Sequence, residues 1–266
     1  MNRIDRIFNE LRPRGQKALM PFLTAGDPDL DTTADLLLAA QQAGASICEL
    51  GIAFSDPIAD GPIIQESMNH ALTRGVRPAQ VLERVAGLRS SLSIGLVAMV
   101  SYSIVHRLGP QSFLADARQA GIDGFIVPDL PVEESQPLRD RLASLDLTCS
   151  FLIAPTTPDE RAERIARACT GFVYVLSRSG LTGERTELPA GLTDRLRRLR
   201  GVTDLPLAVG FGVSGPDQVR QVTREADAAI VGSAIMRRVA ASRHLPRTQV
   251  VAQTRDFIAQ LAGGLT

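Results

Sequence analysis

The chain has 266 residues, of which 44% are hydrophobic and 22% are charged, and it carries 29 basic and 29 acidic side chains. No apolar run approaches the roughly 20 residues that span a bilayer, so a membrane protein is excluded. Because the charges balance, nothing indicates attraction to nucleic acid or to anionic lipid. The composition therefore favours small molecules or other proteins as partners.

The N-terminal segment, residues 1–10, places apolar residues at helical spacing among charged ones. This pattern predicts a helix over residues 3–10, which would close the floor of a barrel. The segment has no apolar core flanked by a cleavage site, so it lacks the pattern of a secretory signal. We expect a cytoplasmic protein.

Short β-type runs alternate with helical patterns along almost the whole chain, which predicts parallel strands joined by crossover helices. Most runs are continuously apolar, as expected of strands covered on both faces. The predicted strands are residues 18–24, 47–51, 94–100, 124–127, 148–153, 172–176, 207–209 and 228–231. Further helices are predicted at residues 62–74, from Ser233 onwards, and at 249–262 as the closing helix.

Eight strand-helix units over roughly 250 residues are typical of a (β/α)8 barrel. No linker divides the chain, so we predict one α/β domain over residues 1–266. The predicted fold is a single (β/α)8 TIM barrel with extra helices at the N-terminus, after strand 2 and after strand 8. The alternative, an open doubly wound sheet, would more often carry a Gly-rich fingerprint after its first strand. At that position residues 24–28 read as a turn.

Cysteine and histidine do not form a metal-binding pattern. The cysteines lie inside apolar segments at spacings that suit neither a zinc site nor a redox motif, and no two histidines lie within one helical turn. We therefore expect buried free thiols and no metal. The residues are Cys48, Cys149, Cys169, His70, His106 and His244.

Polar residues at the carboxyl ends of barrel strands are the candidates for catalysis. Glu49 is a carboxylate inside the otherwise apolar second strand. Burial raises the pKa of a carboxyl group, so Glu49 is a candidate general acid and base. An outward-pointing glutamate, or one paired with an arginine, is equally compatible with the strand.

The loop after the second strand contains Asp56 and Asp60. Asp60 precedes the Gly-Pro pair that begins the inserted helix, which favours helix capping. Asp56 precedes Pro57, which is typical of an Asx turn. Taken singly, neither residue predicts catalysis.

Small residues follow the last three predicted strands, at 179–183, at 210–212, and at Gly232 and Ser233, where a short helix begins. Small residues let backbone amides approach a dianion, and the start of a helix adds its dipole. The pattern predicts a phosphate site at the barrel mouth. Ordinary tight turns are the alternative.

Lys17 is the single lysine of the chain and precedes the first strand, which places it at the floor, opposite the mouth. A Schiff-base aldolase is therefore disfavoured, because it needs an amine among the reacting groups. Without a histidine cluster, a metal-dependent aldolase is disfavoured too. Carboxylates acting on a phosphorylated substrate by proton transfer or electrostatics remain.

Several long motifs resemble the alpha subunits of tryptophan synthase, over roughly residues 17–238. The motifs are LTAGDP at 23–28, ELGIAFSDPIADGP at 49–62, VPDLPVEES at 127–135, LSRSGLTG at 176–183 and GFGVS at 210–214.

The resemblance implies retro-aldol cleavage of indole-3-glycerol phosphate to indole and glyceraldehyde 3-phosphate, without a cofactor in this chain. Glu49 would protonate the ring carbon that bears the side chain and help to remove the hydroxyl proton. Asp60 would accept the indole N–H. The substrate-binding positions that the resemblance implies are Phe22, Ile64, Tyr174, Thr182, Gly183, Phe211, Gly212, Gly232 and Ser233.

The resemblance also implies a partner, a pyridoxal-phosphate beta subunit in an alpha2-beta2 tetramer. Two features depart from the family pattern: Ala53 replaces a usual proline, and Ser101, Tyr102 and Ser103 replace a usual Tyr-x-Asn. Both lie on or near the surface that the family uses to contact the beta subunit, so they bear on coupling rather than on chemistry. A stand-alone lyase, a catalytically weak allosteric partner and a sugar-phosphate isomerase are the alternatives.

Overall fold

The computed structural model describes residues 1–57, 60–177, 191–210 and 212–265. In these ranges the chain forms nine strand segments and twelve α-helices. The strands are β1 (Ala18–Thr24), β2 (Ile47–Gly51), β3 (Gly95–Met99), β4 (Gly124–Ile126), β5 (Thr148–Ser150), β6 (Leu152–Ile153), β7 (Val173–Leu176), β8 (Leu207–Gly210) and β9 (Ala228–Val231). The helices are α1 (Arg3–Leu11), α2 (Leu30–Gln42), α3 (Pro62–Thr73), α4 (Pro78–Leu88), α5 (Tyr102–Leu108), α6 (Pro110–Ala120), α7 (Gln136–Ser144), α8 (Asp159–Ala168), α9 (Leu192–Arg200), α10 (Pro216–Thr223), α11 (Ser233–Ser242) and α12 (Arg247–Ala262).

All strand segments are parallel and form one sheet in the order β5-β4-β3-β2-β1-β9-β8-β7-β6. β5 and β6 are separated only by Phe151, whose N–H donates to the Cys169 sulfur at 3.3 Å. β5 pairs with β4, and β6 pairs with β7. The two segments are halves of one strand that closes the barrel, so the predicted (β/α)8 fold is confirmed.

The strands are buried on both faces, which explains their continuous apolar runs. Every residue of β1 to β5, β8 and β9 is buried. The three cysteines are free and buried, as predicted. No helix in the described part of the chain is long and apolar enough to cross a membrane.

The predicted N-terminal helix closes the floor. Phe8 of α1 is buried, and its ring centroid lies 6.3 Å from that of Phe172. The Asn2 side-chain amide donates to the backbone carbonyls of Asp123 and Asp146 at 2.8 and 2.6 Å. Lys17 lies at the same end, where its ammonium donates to the Ala226 carbonyl at 2.8 Å.

Two buried aspartates at the floor fix the start of neighbouring strands. Asp123 precedes β4 and accepts the N–H of Leu96 in β3 at 2.9 Å. Asp227 precedes β9 and accepts the N–H of Leu207 in β8 at 2.8 Å. Each carboxylate satisfies a backbone donor that a strand start would otherwise leave unpaired. These bonds link adjacent strands and help to set their register.

The inserted helix after strand 2 and the helix after strand 8 are confirmed as α3 and α11. α5 is a further helix that the sequence pattern did not predict. It has 7 residues, of which Ile104 and Val105 are buried, which is too short to show a helical period. The Ser101 side chain caps its start, and Gly109, with φ of 83°, separates it from α6.

Candidate active site

A cavity of about 690 Å³, including its open mouth, lies at the carboxyl ends of the strands. Its size is in the usual range for small-molecule sites. β1, β2, β3, β7 and β9, the loop before α3 and the start of α11 contribute to its wall. The lining residues are Phe22, Glu49, Asp60, Gly61, Ile64, Met99, Tyr174, Gly212, Val213, Ser214, Ile230, Gly232, Ser233, Ala234 and Arg237.

The cavity brings together most of the side chains that the sequence nominated. The nominated residues that line it are Phe22, Glu49, Asp60, Ile64, Tyr174, Gly212, Gly232 and Ser233. The other three, Thr182, Gly183 and Phe211, lie outside the described residues, as does most of the loop over 177–189.

Glu49 is fully buried in β2, opposite Phe22 in β1 and Val97 in β3. Among the described residues, neither carboxyl oxygen has a hydrogen-bond partner. Burial, and secondarily the negative charge of Asp60, raise the pKa of Glu49 well above its usual value. Glu49 is neither turned outward nor paired with an arginine among the described residues, and its raised pKa favours the protonated form.

Asp60 is the second acid of the cavity. Burial raises its pKa to about 6. Its carboxylate does not cap α3, because the N-cap position belongs to Gly61 and no described side chain caps this helix. The Asp60 backbone carbonyl accepts the side-chain amide of Gln65 at 2.8 Å, which ties the loop to the first turn of α3. Above about pH 6 Asp60 is ionised, and its negative charge favours the protonated form of the neighbouring Glu49.

Tyr174 stands near both acids. Burial, together with the charges of Glu49 and Asp60, raises the pKa of its phenol well above the usual value, so the hydroxyl remains protonated. The ring packs directly on Gly210: a Cβ atom there would lie 2.6 Å from the tyrosine oxygen. In the same way, a Cβ atom at Gly51 would lie 2.5 Å from the Phe22 ring. Glycine at these two strand ends makes room for the aromatic wall.

The part of the cavity wall at the start of α11 has the features of an anion site. α11 begins at Ser233, with Gly232 at its N-cap position, and no side chain in the described part of the chain caps it. Its first backbone N–H groups are therefore available to a ligand, and the helix dipole favours a negative charge there. Gly212, with φ of 83°, lines the cavity beside them. This arrangement is what a phosphate group requires.

Sequence reasoning missed several lining residues. Met99 and Ile230 lie near the carboxyl ends of their strands, where position alone could have indicated them. Arg237 lies four residues after Ser233 on α11. This spacing puts Ser233 and Arg237 on one face of the helix, so helical spacing from the predicted phosphate site could have indicated Arg237. Among the described residues, no group of three metal-binding side chains occurs.

A second, smaller cavity adjoins the first, and Asp60 and Met99 line both. Ser101 also lines the second cavity, and its hydroxyl donates to the Asp129 carboxylate at 2.6 Å. The Tyr102 N–H donates to the same carboxylate at 2.8 Å. The departure from the family pattern after β3 therefore lies beside the larger cavity, at the start of α5.

The chain is similar to known proteins along most of its length. A sequence model of the family described as tryptophan synthase alpha chain matches residues 8–262. The tryptophan synthase alpha chain of Caldanaerobacter subterraneus subsp. tengcongensis is 41% identical over 261 residues, covering 98% of each chain. That of Prochlorococcus marinus is 46% identical over 240 residues, covering 90% of this chain and 87% of its own length.

A solved structure with the same fold extends the comparison. The crystal structure of the tryptophan synthase alpha subunit from Legionella pneumophila str. Paris has a TM-score of 0.90 and 30% sequence identity, and covers 100% of this chain and 98% of its own. Because the similarity extends along nearly the whole barrel, in sequence as well as in structure, the chain belongs to the tryptophan synthase alpha chain family.

Proposed function

We propose that the chain cleaves indole-3-glycerol phosphate to indole and glyceraldehyde 3-phosphate by a retro-aldol reaction. One observation carries the proposal: Glu49, a buried acid whose raised pKa favours its protonated form, and Asp60, an acid with a pKa of about 6, share a cavity with a helix start that no described side chain caps. The identity of the substrate is inferred from membership of the family. Glu49 supplies the proton transfers, Asp60 supplies the negative charge beside the indole nitrogen, and the start of α11 supplies the phosphate site.

Glu49 acts first as the general acid. Its proton goes to the ring carbon that bears the glycerol phosphate chain, and the ring becomes an indolenine-like cation. The resulting Glu49 carboxylate then takes the proton of the adjacent side-chain hydroxyl. The carbon–carbon bond breaks, its electron pair restores the aromatic ring, and the hydroxyl carbon becomes the aldehyde. Glu49 ends protonated, as it began.

Asp60 supplies the charge that this intermediate needs. Its carboxylate accepts the indole N–H, which becomes more acidic when the ring carbon is protonated. An anion fixed in a buried site stabilises the cation more than water does. The hydroxyl of Tyr174 lies near both acids and supports their placement. Phe22 and Ile64 form the apolar surface for the indole ring.

The phosphate group binds at the start of α11, where Gly212, Gly232 and Ser233 leave room for backbone donors. Arg237 adds the positive side chain to this wall. Thr182, Gly183 and Phe211 complete the proposed set from outside the described residues.

We predict that Arg237→Gln raises the KM for indole-3-glycerol phosphate by about 10–100-fold, because a charge-assisted bond to phosphate is lost. The kcat should change by less than about threefold, since the lost contact is made equally before and during the reaction. Steady-state indole release measures both constants. Arg238→Gln is the matched control: the neighbouring guanidinium stacks over Phe257, 3.2 Å from the ring centroid. Equal KM values for the two variants would contradict the assignment.

The proposed partner is the tryptophan synthase beta subunit in an alpha2-beta2 tetramer, and the proposed location is the cytoplasm. The beta subunit binds the pyridoxal phosphate, so this chain needs no cofactor.

We further propose that residues 1–266 form one domain, which the single continuous sheet supports. Ala53 and Ser101 depart from the family pattern at positions that the family uses for contact with the beta subunit, and these departures favour one second candidate, a lyase that acts alone.

Indole release from indole-3-glycerol phosphate, measured with and without the beta subunit, tests the proposal. We expect slow release by the chain alone and faster release in the complex. No release under either condition would reject the lyase. Equal rates without complex formation would favour the stand-alone enzyme, and stimulation of the beta subunit without cleavage would favour an allosteric partner.

A further inference from the structure

Helix α3 is held to the barrel by a small set of polar contacts. It begins two residues after Asp60 and carries Ile64 into the cavity wall. Three of its side chains contact two residues of other elements. The contacts are Ser67 Oγ to Asp27 Oδ2 at 2.5 Å, His70 Nδ1 to Asp27 Oδ1 at 3.1 Å, and Arg243 Nη1 to Glu66 Oε1 at 2.8 Å. The anchor of α3 is therefore the pair formed by Asp27 and Arg243.

The pair has the geometry of a specific clamp. Asp27 is completely buried, and Arg243 donates to both of its oxygens, from Nε at 2.8 Å and from Nη2 at 2.7 Å. Desolvation offsets much of the attraction between buried charges, so such a pair contributes little net stability. The two-bond contact nevertheless fixes the orientation of both side chains. We therefore expect its main effect on geometry.

Apolar packing also holds α3 against the turn after β1. Gly26 has φ of +91°, and a Cβ atom there would lie 2.6 Å from a methyl group of Val76. Val76 follows the end of α3. In the turn after β1, Asp27 thus contacts α3 itself, and Gly26 contacts the segment that follows α3. This turn is part of the LTAGDP motif, which the catalytic steps do not use.

Arg243 connects the contacts of α3 to α11, the helix at whose start the proposed phosphate site lies. It is the C-cap residue of α11, the helix whose first turn contains Ser233. Neither Arg243 nor Asp27 lines the catalytic cavity, so neither is a catalytic residue. We propose that the Asp27–Arg243 pair is a positioning device that holds α3 against α11 and so sets the place of the Asp60 carboxylate relative to the phosphate site. The inference rests on the proposed function.

The double variant Asp27→Asn/Arg243→Gln tests the inference, because it removes both charges and leaves no charge buried alone. We expect kcat for indole release to fall about tenfold at 25 °C, with a change in KM below about twofold. The phosphate site lies at the other end of α11 and should persist. We also expect the low-pH limb of kcat to move to lower pH, since a displaced Asp60 is better hydrated.

Arg247→Gln is the matched control. Arg247 forms ion pairs with Asp31 and Asp35 at 3.7 and 3.0 Å, and both aspartates belong to α2 rather than α3. This variant should retain the kcat, the KM and the pH profile of the unmodified chain. If the double variant also retains them, the pair has no positioning role and the inference is overturned.

Amide hydrogen exchange gives a result that does not depend on catalysis. In the double variant, the amides of α3 should exchange faster while those of α12 do not change. Unchanged protection of α3 would overturn the inference even if the chain were not a lyase, whereas absent cleavage by the unmodified chain would reject only the proposed function. If the double variant does not fold, Arg243→Lys decides: we expect a kcat two- to fivefold lower, and an unchanged kcat would contradict the clamp.

Discussion

Replacing Glu49 with glutamine is expected to slow indole release by about 10²–10⁴-fold, the usual contribution of a positioned acid and base. Glutamine has nearly the same shape, but its amide can neither donate a proton to the ring carbon nor take one from the hydroxyl. The fold should tolerate the change, because Glu49 is buried and its raised pKa favours the uncharged acid, which a neutral amide resembles.

Three measurements separate this effect from a loss of structure. Steady-state kinetics gives the fall in kcat, thermal unfolding reports the fold, and titration with glycerol 3-phosphate reports the phosphate site. The last two should match the unmodified chain. Glu83→Gln, at an exposed position of α4, is the control for the same chemical change. Full turnover by the Glu49 variant would remove this residue from its proposed role.

Replacing Asp60 with asparagine is expected to have two opposite effects. Cleavage should slow by about 10²-fold or more, because the anion beside the indole nitrogen is lost. Stability at pH 8 should increase, because burial raises the pKa of Asp60 from 3.8 to about 6. The folded state therefore disfavours the ionised form, and ionisation costs stability as the pH rises from about 4 through 6. The gain should be about 1–3 kcal/mol and should vanish below pH 4.

The unmodified chain should show the matching pH profile. Since the proposed mechanism needs ionised Asp60, kcat/KM should fall as the pH decreases through about 6. Asp56→Asn is the control in the same loop, because Asp56 is exposed and, within the described part of the chain, its carboxylate accepts a side-chain hydrogen bond from the Ser55 hydroxyl alone. A flat profile between pH 5 and 8, or a stability loss in the Asp60 variant at pH 8, would contradict the assignment.

Local pattern was enough to predict the barrel, because each strand is an apolar run with a helix after it. The break at Phe151 was not predictable, because it depends on which neighbours the two half-strands meet. Likewise, α5 is too short for its periodicity to stand out. What local pattern lacks is information about partners distant in sequence.

The same limit applies to the site. Glu49 could be nominated because an acid in an apolar strand is unusual, but its orientation was not determined by the strand alone. Asp60 fitted a capping role until its position relative to Gly61 and the cavity was known. Asp27 looked like part of a turn, and Arg243, its partner 216 positions away, follows no spacing rule. Pairwise contacts of this kind require coordinates.

The position of the single lysine has a practical consequence. Lys17 lies at the end of the barrel opposite the cavity, and the N-terminal helix lies at the same end. Amine-directed coupling to a solid support would therefore attach the protein by this end alone. Immobilised molecules would share one orientation, with the substrate entrance directed toward the bulk solution.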